Sequence, residues 1–254
     1  MGIDSYFTIG SSHKICQDYA RHEMFGDAEV IVVSDGCSTA KDTDIGARLI
    51  SKMLLCKKTH MEMTDALSTL EIPRESLLCT LLSAKRLDDE TEIFLSGDGF
   101  CVVEYDWGID LIEFGSEDGA PYYLAYTEIE ELKDSYIKNF GNENYYKITK
   151  WKRDDINMKE VSVGAKKFII ESEPYQIFTI VNNYKTISLF SDGLKSFTSG
   201  KQQMTPLEAV QHFLDIKVYN GEFVFRTCRR ALKDLKELGF VNHDDFAMAT
   251  IYKG

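Results

Sequence analysis

The sequence predicts an α+β sandwich, with antiparallel sheets at the centre and helices outside. Three observations carry this. Short apolar runs recur along the chain and stop at Asp-Gly pairs. Two helical patterns lie late in the chain, the first behind a strong start signal. A last strand-like run, Phe246 to Tyr252 (FAMATIY), follows them. The two late helices can cover one sheet, and a helix beginning at Thr43 can cover the other with a neighbour.

In chain order, Val30 to Val33 (VIVV) is a β-branched run ending at Ser34-Asp35-Gly36, which predicts a buried strand stopped by a turn. Thr43 to Leu54 follows with Ile45, Leu49 and Met53 four apart, a helical spacing. Leu77 to Leu87, Glu92 to Gly97, Phe100 to Asp106 and Ile109 to Phe114 read as a meander of strands. Its breaks are Asp88-Asp89, Gly97-Asp98-Gly99 and Trp107-Gly108. From Gly115 to Tyr184 the pattern is looser and more polar, a candidate insertion or flap. Within it Glu128 to Phe140 reads as a short helix, and Asp154-Asp155 and Asn182-Asn183 as turns. Ile187 to Phe190 (ISLF) is another buried strand, stopped at Ser191-Asp192-Gly193. Thr205-Pro206-Leu207-Glu208 combines an N-cap Thr, a Pro at the first helical position and a Glu at the third. The helix it opens is expected to bury Leu207, Val210 and Leu214. A second helix runs from about Glu222 to Leu238, with Cys228, Ala231, Leu232, Leu235 and Leu238 on its apolar side and Gly239 past its end.

With 254 residues and 44% hydrophobic content, one domain over 1–254 is expected, with 115–184 as a variable flap segment inside it. Repeats and low-complexity tracts are absent, and four prolines leave no Pro-rich linker. The formal net charge of -12, from 29 basic and 41 acidic residues, repels nucleic acid and anionic membranes at long range, so neither is an expected partner. The opening MGIDSYFTIG lacks a basic leader followed by an apolar stretch, and its context around Gly2 is poor for myristoylation. Six cysteines are scattered with no C-x-x-C pair, which reads as reduced thiols in the cytoplasm. No Cys or His pair has zinc-ligand spacing. His22, His60 and His212 read as surface or packing residues, His243 as a turn residue, and Cys37 as a small packed thiol.

The chemistry lies in the aspartates. Asp35-Gly36, Asp98-Gly99 and Asp192-Gly193 follow apolar runs, and Asp244-Asp245 precedes one. Each alone reads as turn chemistry. Together, carboxylates at the ends of core strands can converge at one rim of a sheet, where like charges cost free energy unless cations neutralise them. Oxygen ligands without His or Cys point to Mg²⁺ or Mn²⁺.

These residues resemble the PP2C-type metal-dependent protein phosphatases, particularly the compact bacterial branch. The resemblance runs from about Gly10 to the C-terminus and is weakest across 115–184. Gly10-Ser11-Ser12-His13-Lys14-Ile15-Cys16-Gln17-Asp18 is similar to the opening G-x-x-[RH]-x-x-N-[EQ]-D element, with Cys16 where Asn is usual. Val32-Val33-Ser34-Asp35-Gly36 is similar to V-x-D-G, and Gly46-Ala47 falls in the small-residue pattern of the following helix. Cys79-Thr80 and Gly97-Asp98-Gly99-Phe100 resemble the small-Thr strand and the G-D-[SG]-R turn. Leu189-Phe190-Ser191-Asp192-Gly193-Leu194 resembles S-D-G-[LV], and Asp244-Asp245-Phe246-Ala247 resembles D-[ND]-x-[STA].

The resemblance implies a four-layer α-β-β-α sandwich of two antiparallel sheets flanked by helices. It implies a serine/threonine phosphatase acting on phosphorylated protein, a Ser/Thr kinase or its targets, through two Mn²⁺ or Mg²⁺ ions that activate a water. Asp35 would bridge both metals and the Gly36 carbonyl would ligate one. Asp192 and Asp244 would complete the first site, Asp18 would orient the cluster through water, and Asp98 would offer a third, weaker site. His13 stands where an Arg or His contacts the substrate phosphate. Three departures stand out. Cys37-Ser38-Thr39 replaces the H-G-G or M-G-G of many members, Phe100 replaces an Arg that would pair with Asp98, and Cys16 removes a side-chain hydrogen bond. They motivate an alternative, a catalytically weak regulatory or phosphoprotein-binding module on the same fold. Tyr122, Tyr123 and Tyr126 read equally as flap packing or as a substrate face.

Overall fold

The computed structural model describes all residues except 1, 56–59, 116–119, 128, 155–156 and 170–174. The chain opens with strands β1 (Gly2–Thr8), β2 (Asp18–Phe25) and β3 (Ala28–Asp35), then helices α1 (Thr43–Leu55) and α2 (His60–Thr69). Strands β4 (Leu81–Arg86), β5 (Glu90–Ser96), β6 (Gly99–Tyr105) and β7 (Gly108–Gly115) follow, then helix α3 (Glu130–Phe140). A long hairpin comes next, β8 (Glu143–Asp154) with β9 (Asn157–Ile169), and after it β10 (Gln176–Val181) and β11 (Thr186–Phe190). Two short strands, β12 (Phe197–Ser199) and β13 (Gln202–Gln203), precede helices α4 (Pro206–Phe213) and α5 (Phe223–Glu237), and the chain closes with β14 (Val241–Asn242) and β15 (Phe246–Tyr252).

Seven strands form one large sheet in the order β1-β15-β11-β6-β7-β8-β9, five form a second as β10-β5-β4-β3-β2, and β13-β12-β14 form a small third. The two larger sheets face each other, and strand alternation sorts their side chains into layers. Ile31, Val33, Leu82 and Leu95 of one sheet meet Val103, Ile187, Leu189 and Ala249 of the other. The intervening residues point outward. Val30, Val32 and Leu81 pack on Ala47, Ile50 and Leu67 of α1 and α2. Phe100, Phe190, Phe246 and Met248 pack on Phe213, Val224, Cys228 and Leu235 of α4 and α5. The result is the expected α-β-β-α stack. Among the described residues no helix is long and apolar enough to cross a membrane.

Local chemistry sets the helices. A capping box opens α4, with Thr205 Oγ1 accepting from the Glu208 N–H at 3.3 Å and Glu208 Oε2 accepting from the Thr205 N–H at 2.8 Å. Helix α5 has no side-chain cap of its own at Glu222. Asp4 of β1 supplies it from across the layer, its Oδ2 accepting from the Val224 N–H at 2.5 Å and the Phe225 N–H at 3.2 Å.

Several sequence readings need correction. The four strands from Leu81 to Gly115 are not one meander, because β4 and β5 lie in the five-stranded sheet and β6 and β7 in the other. The chain crosses between sheets at Gly97-Asp98-Gly99, where φ is +90° at Gly97 and +131° at Gly99. The first of these strands begins at Leu81, since Arg74–Leu77 forms a short 3₁₀ turn. On α1, Ala47, Ile50 and Leu49 pack against the sheet-side core, Thr43 and Ser51 are buried, and Ile45 is exposed. On α5, Leu238 is a C-cap residue and 63% exposed. The Asp155 half of the proposed turn, Cys56 and the Glu128 start of α3 fall outside the described residues.

Antiparallel pairing then fixes where the functional side chains go. Asp18, the first residue of β2, pairs with Asp35, the last of β3. In the other sheet the C-terminal residue of β11, Phe190, pairs with Phe100 and Met248 at the starts of β6 and β15. Asp98, Asp192 and Asp244 therefore lie just beyond strand ends at the same rim of the sandwich as Asp35.

Candidate active site

At that rim lies a cavity of about 420 Å³. Its floor includes Asp35, Gly36, Asp98, Asp192, Asp244 and His13. Asp18 is placed behind them rather than in the lining. It is buried, shares a hydrogen bond with Asp35, and accepts from Ser191 Oγ at 2.5 Å.

The glycines that follow Asp35 and Asp192 are close-approach residues and take no left-handed turn. Neither Gly36 nor Gly193 lies in the left-handed region. A Cβ on Gly193 would sit 1.7 Å from the Asp245 carbonyl oxygen, and one on Gly36 would sit 2.7 Å from Thr43 Cβ. Asp192 and Asp35 are thus pressed against β15 and α1 by backbone contacts that admit no side chain. The Asp35 N–H donates to Thr80 Oγ1 at 2.9 Å, and the Thr80 N–H to the Asp35 carbonyl at 2.7 Å, which fixes the end of β3.

The two adjacent aspartates divide their work. Asp244 lines the cavity, with a side chain 43% exposed. Asp245 is buried, and its carboxylate accepts from the Gly10 N–H at 2.8 Å and the Gln17 N–H at 2.6 Å. Asp245 also lies 3.1 Å from His13 Nδ1, while His13 Nε2 lies 3.3 Å from Asp244 Oδ1. Burial pulls the His13 pKa down, but the Asp245 hydrogen bond and the charges of Asp245, Asp244 and Asp192 outweigh it and hold it up.

The floor is electrostatically overloaded. Burial pushes Asp35 well above the usual carboxylate range, and the charges of Asp18, Asp192 and Asp98 add to it. Burial likewise raises Asp18, against its hydrogen bonds to Asp35 and Ser191. Asp98 is pushed up to about 8 by burial and by Asp192. Asp192 rises through burial and the charge of Asp244. One cation softens this. Lys195 lies with its ammonium 5.0 Å from the Phe100 ring centroid, pairs with Glu113 at 2.6 Å, and lowers Asp98 and Asp192. A positive charge therefore stands near Asp98 although Phe100 itself is buried in the helix-side core.

These donors fit a hard divalent cation, being carboxylate oxygens and one backbone carbonyl whose charge Lys195 and His13 only partly compensate. Among the described residues no three Asp, Glu, His or Cys side chains already surround one point at ligating distance. What calls for a cation is the excess charge, not a formed cage.

The opposite wall is aromatic. Tyr123, Tyr126, Tyr136 and Phe140 line the cavity with Ala120 and Pro121, all from the stretch around α3. Of the three tyrosines noted in sequence, Tyr122 packs against Tyr126 and Tyr136, while Tyr123 and Tyr126 reach the cavity. Tyr136, Phe140, Lys195, Ser191, Thr80 and Asp245 carried no role in the sequence reading. Ser191 and Asp245 were visible as neighbours of the matched aspartates, but nothing in the sequence places Lys195 or Phe140 here. His22 is exposed, as a surface histidine, with its Nδ1 2.9 Å from Ser5 Oγ, and His243 lies in the short connection before β15 with its Nε2 2.8 Å from Thr198 Oγ1. Cys37 lies on the cavity, its Sγ 3.1 Å from Thr39 Oγ1. Cys16 keeps only a weak contact to the Asp18 carbonyl at 3.5 Å, and burial pushes its thiol up to about 12.

No family model matches the chain, and no curated protein matches it in sequence. Solved structures do share its fold. A bacterial serine phosphatase is similar at a TM-score of 0.57 and 10% identity, over 98% of this chain and 96% of that one. The serine/threonine phosphatase Stp1 from Staphylococcus aureus is similar at 0.55 and 11%, over 99% and 94%. The serine/threonine phosphatase of S. agalactiae is similar at 0.53 and 14%, over 100% and 99%. The fold of this chain is that of the PP2C-type phosphatases.

Proposed function

We propose that the chain is a Mn²⁺- or Mg²⁺-dependent serine/threonine phosphoprotein phosphatase. The carrying observation is the single cavity floor that gathers Asp35, Asp98, Asp192 and Asp244 from four separate strand ends, with no lysine or arginine lining it among the described residues. Such a floor is costly unless cations occupy it.

Two cations there, with a third and weaker one at Asp98, would neutralise the floor, clamp the phosphoryl oxygens and activate a water for in-line attack. Asp35, the Gly36 carbonyl, Asp192 and Asp244 would hold them. Asp18 steadies Asp35 through their shared hydrogen bond, and is itself fixed by Ser191. Asp245 fixes the His13 ring at Nδ1. A protonated His13 then presents Nε2 to a phosphate oxygen at the edge of the floor. The substrate would be a phosphorylated protein, a Ser/Thr kinase or its targets.

A catalytically weak binding module on the same fold is the second reading, favoured by the absence of a formed cage among the described residues. One assay separates the two. Hydrolysis of a small aryl phosphate and of a phosphoserine peptide should appear with millimolar Mn²⁺ and vanish with chelator. Full activity in excess chelator would sink the metal mechanism, and no activity at any Mn²⁺ concentration would favour the binding module.

A further inference from the structure

The aromatic wall has a bearing on which phosphoproteins fit. Its rings brace one another: Tyr126 and Tyr136 centroids are 5.1 Å apart, Tyr123 and Tyr126 are 5.8 Å apart, and Tyr136 and Phe140 are 5.2 Å apart. The Tyr136 hydroxyl donates to the Ala120 carbonyl at 2.6 Å, tying α3 to the strand of chain that precedes it. The wall is therefore preformed. It is also uncharged, since burial raises both Tyr123 and Tyr126, the latter to about 12. Yet Phe140, at the end of α3, leaves 44% of its surface exposed while lining the cavity. Its ring contact with Tyr136 leaves that exposed face turned to the cavity and solvent.

Charge narrows the occupant further. No lysine or arginine lines the cavity among the described residues, and the whole chain carries a net charge of -12. A substrate rich in acidic residues around its phosphate would find no partner here and would be repelled. Resting on the phosphatase reading above, we infer that the site selects phosphoserine or phosphothreonine segments with a bulky apolar residue beside the phosphorylated one. That neighbour seats against Phe140 and Tyr126 while the phosphate goes to the floor. The selectivity comes from apolar burial and ring contact, not from ion pairing.

Three matched phosphoserine peptides test this, with Phe, Gly or Asp flanking the phosphoserine on both sides, each hydrolysed by the full chain with Mn²⁺. The Phe-flanked peptide should exceed the Gly-flanked one in kcat/KM by roughly 3- to 10-fold, chiefly through KM, with the Asp-flanked peptide lowest. Phe140→Ala, a change at a half-exposed ring, should collapse the Phe-to-Gly ratio toward 1. Equal rates for all three peptides in the wild type, or a Phe preference that survives Phe140→Ala, would overturn the inference while leaving the phosphatase reading intact. Hydrolysis of none of the peptides with Mn²⁺ would instead overturn the phosphatase reading, and this inference with it.

Discussion

The floor and the wall of the cavity are built by opposite means. Each floor aspartate sits at the end of a core strand, and its position follows from backbone pairing and from glycines pressed against neighbouring backbone. The wall is held by side chains: ring contacts and one tyrosine hydroxyl bond around α3. A floor fixed by the backbone suits chemistry that tolerates little displacement, since misplacement by an ångström is costly in catalysis. A wall fixed by side chains can be altered without disturbing the sheets. Change in the floor should therefore abolish the proposed reaction, and change in the wall should only retune it.

The largest effect should come from the floor. Asp35→Asn and Asp192→Asn should each lower kcat by at least about 10²- to 10³-fold, measured with a small phosphoester and saturating Mn²⁺. Their chelated forms should melt no lower than the wild type, because removing one charge relieves repulsion among Asp18, Asp35 and Asp192. A variant that is both active and less stable would break the contrast between floor and wall.

The second effect is on stability against pH in the chelated protein. Asp98 has a folded pKa of about 8 against the usual 3.8, so the folded form keeps a proton that the unfolded chain has released. The stability it contributes is full below about pH 4 and is lost as pH rises through 8. Asp35 and Asp18, also raised, act in the same direction. Melting temperature should therefore fall from pH 5 to pH 8 in chelator, and Mn²⁺ should restore most of the loss at pH 8. A chelated protein that gains stability over this range would contradict the assigned overload.

Next comes the seating of the floor. Gly193→Ala places a methyl into the Asp245 carbonyl and should destabilise the fold by roughly 1–3 kcal/mol in denaturant unfolding. The smallest effect should be in the wall. Tyr136→Phe removes the bond to the Ala120 carbonyl and should cost about 1 kcal/mol. If Tyr136→Phe proves more damaging to turnover than Gly193→Ala, the wall is part of the machinery and not a specificity surface.

The same contrast decides what could be seen in the sequence. Asp35, Asp98, Asp192 and Asp244 were legible because strand ends leave a local signature, an apolar run beside an acidic residue. The α4 cap was legible for the same reason, as Thr205 and Glu208 meet within one turn. The sheet assignment was not. Nothing in Glu92 to Phe114 shows that the chain changes sheets at Asp98, because both halves have the same alternation. The spacing of Ile45, Leu49 and Met53 marked α1 as a helix, but not how closely it packs: buried Thr43, Ala47 and Ser51 are small or polar and Gly46 abuts the Ser76 carbonyl, a close approach that leaves little apolar signature. Phe140 lines the cavity and Lys195 stands near Asp98 behind it, and only the folded arrangement brings them there.

The proposed function requires the excess charge of the floor to hold divalent cations. Calorimetric titration of Mn²⁺ into the metal-free chain at neutral pH tests it most directly, alongside Asp35→Asn under the same conditions. At least two ions should bind per wild-type chain, with proton release, and Asp35→Asn should lose the tighter ones. No binding by the wild type, or the same isotherm for Asp35→Asn, would contradict it.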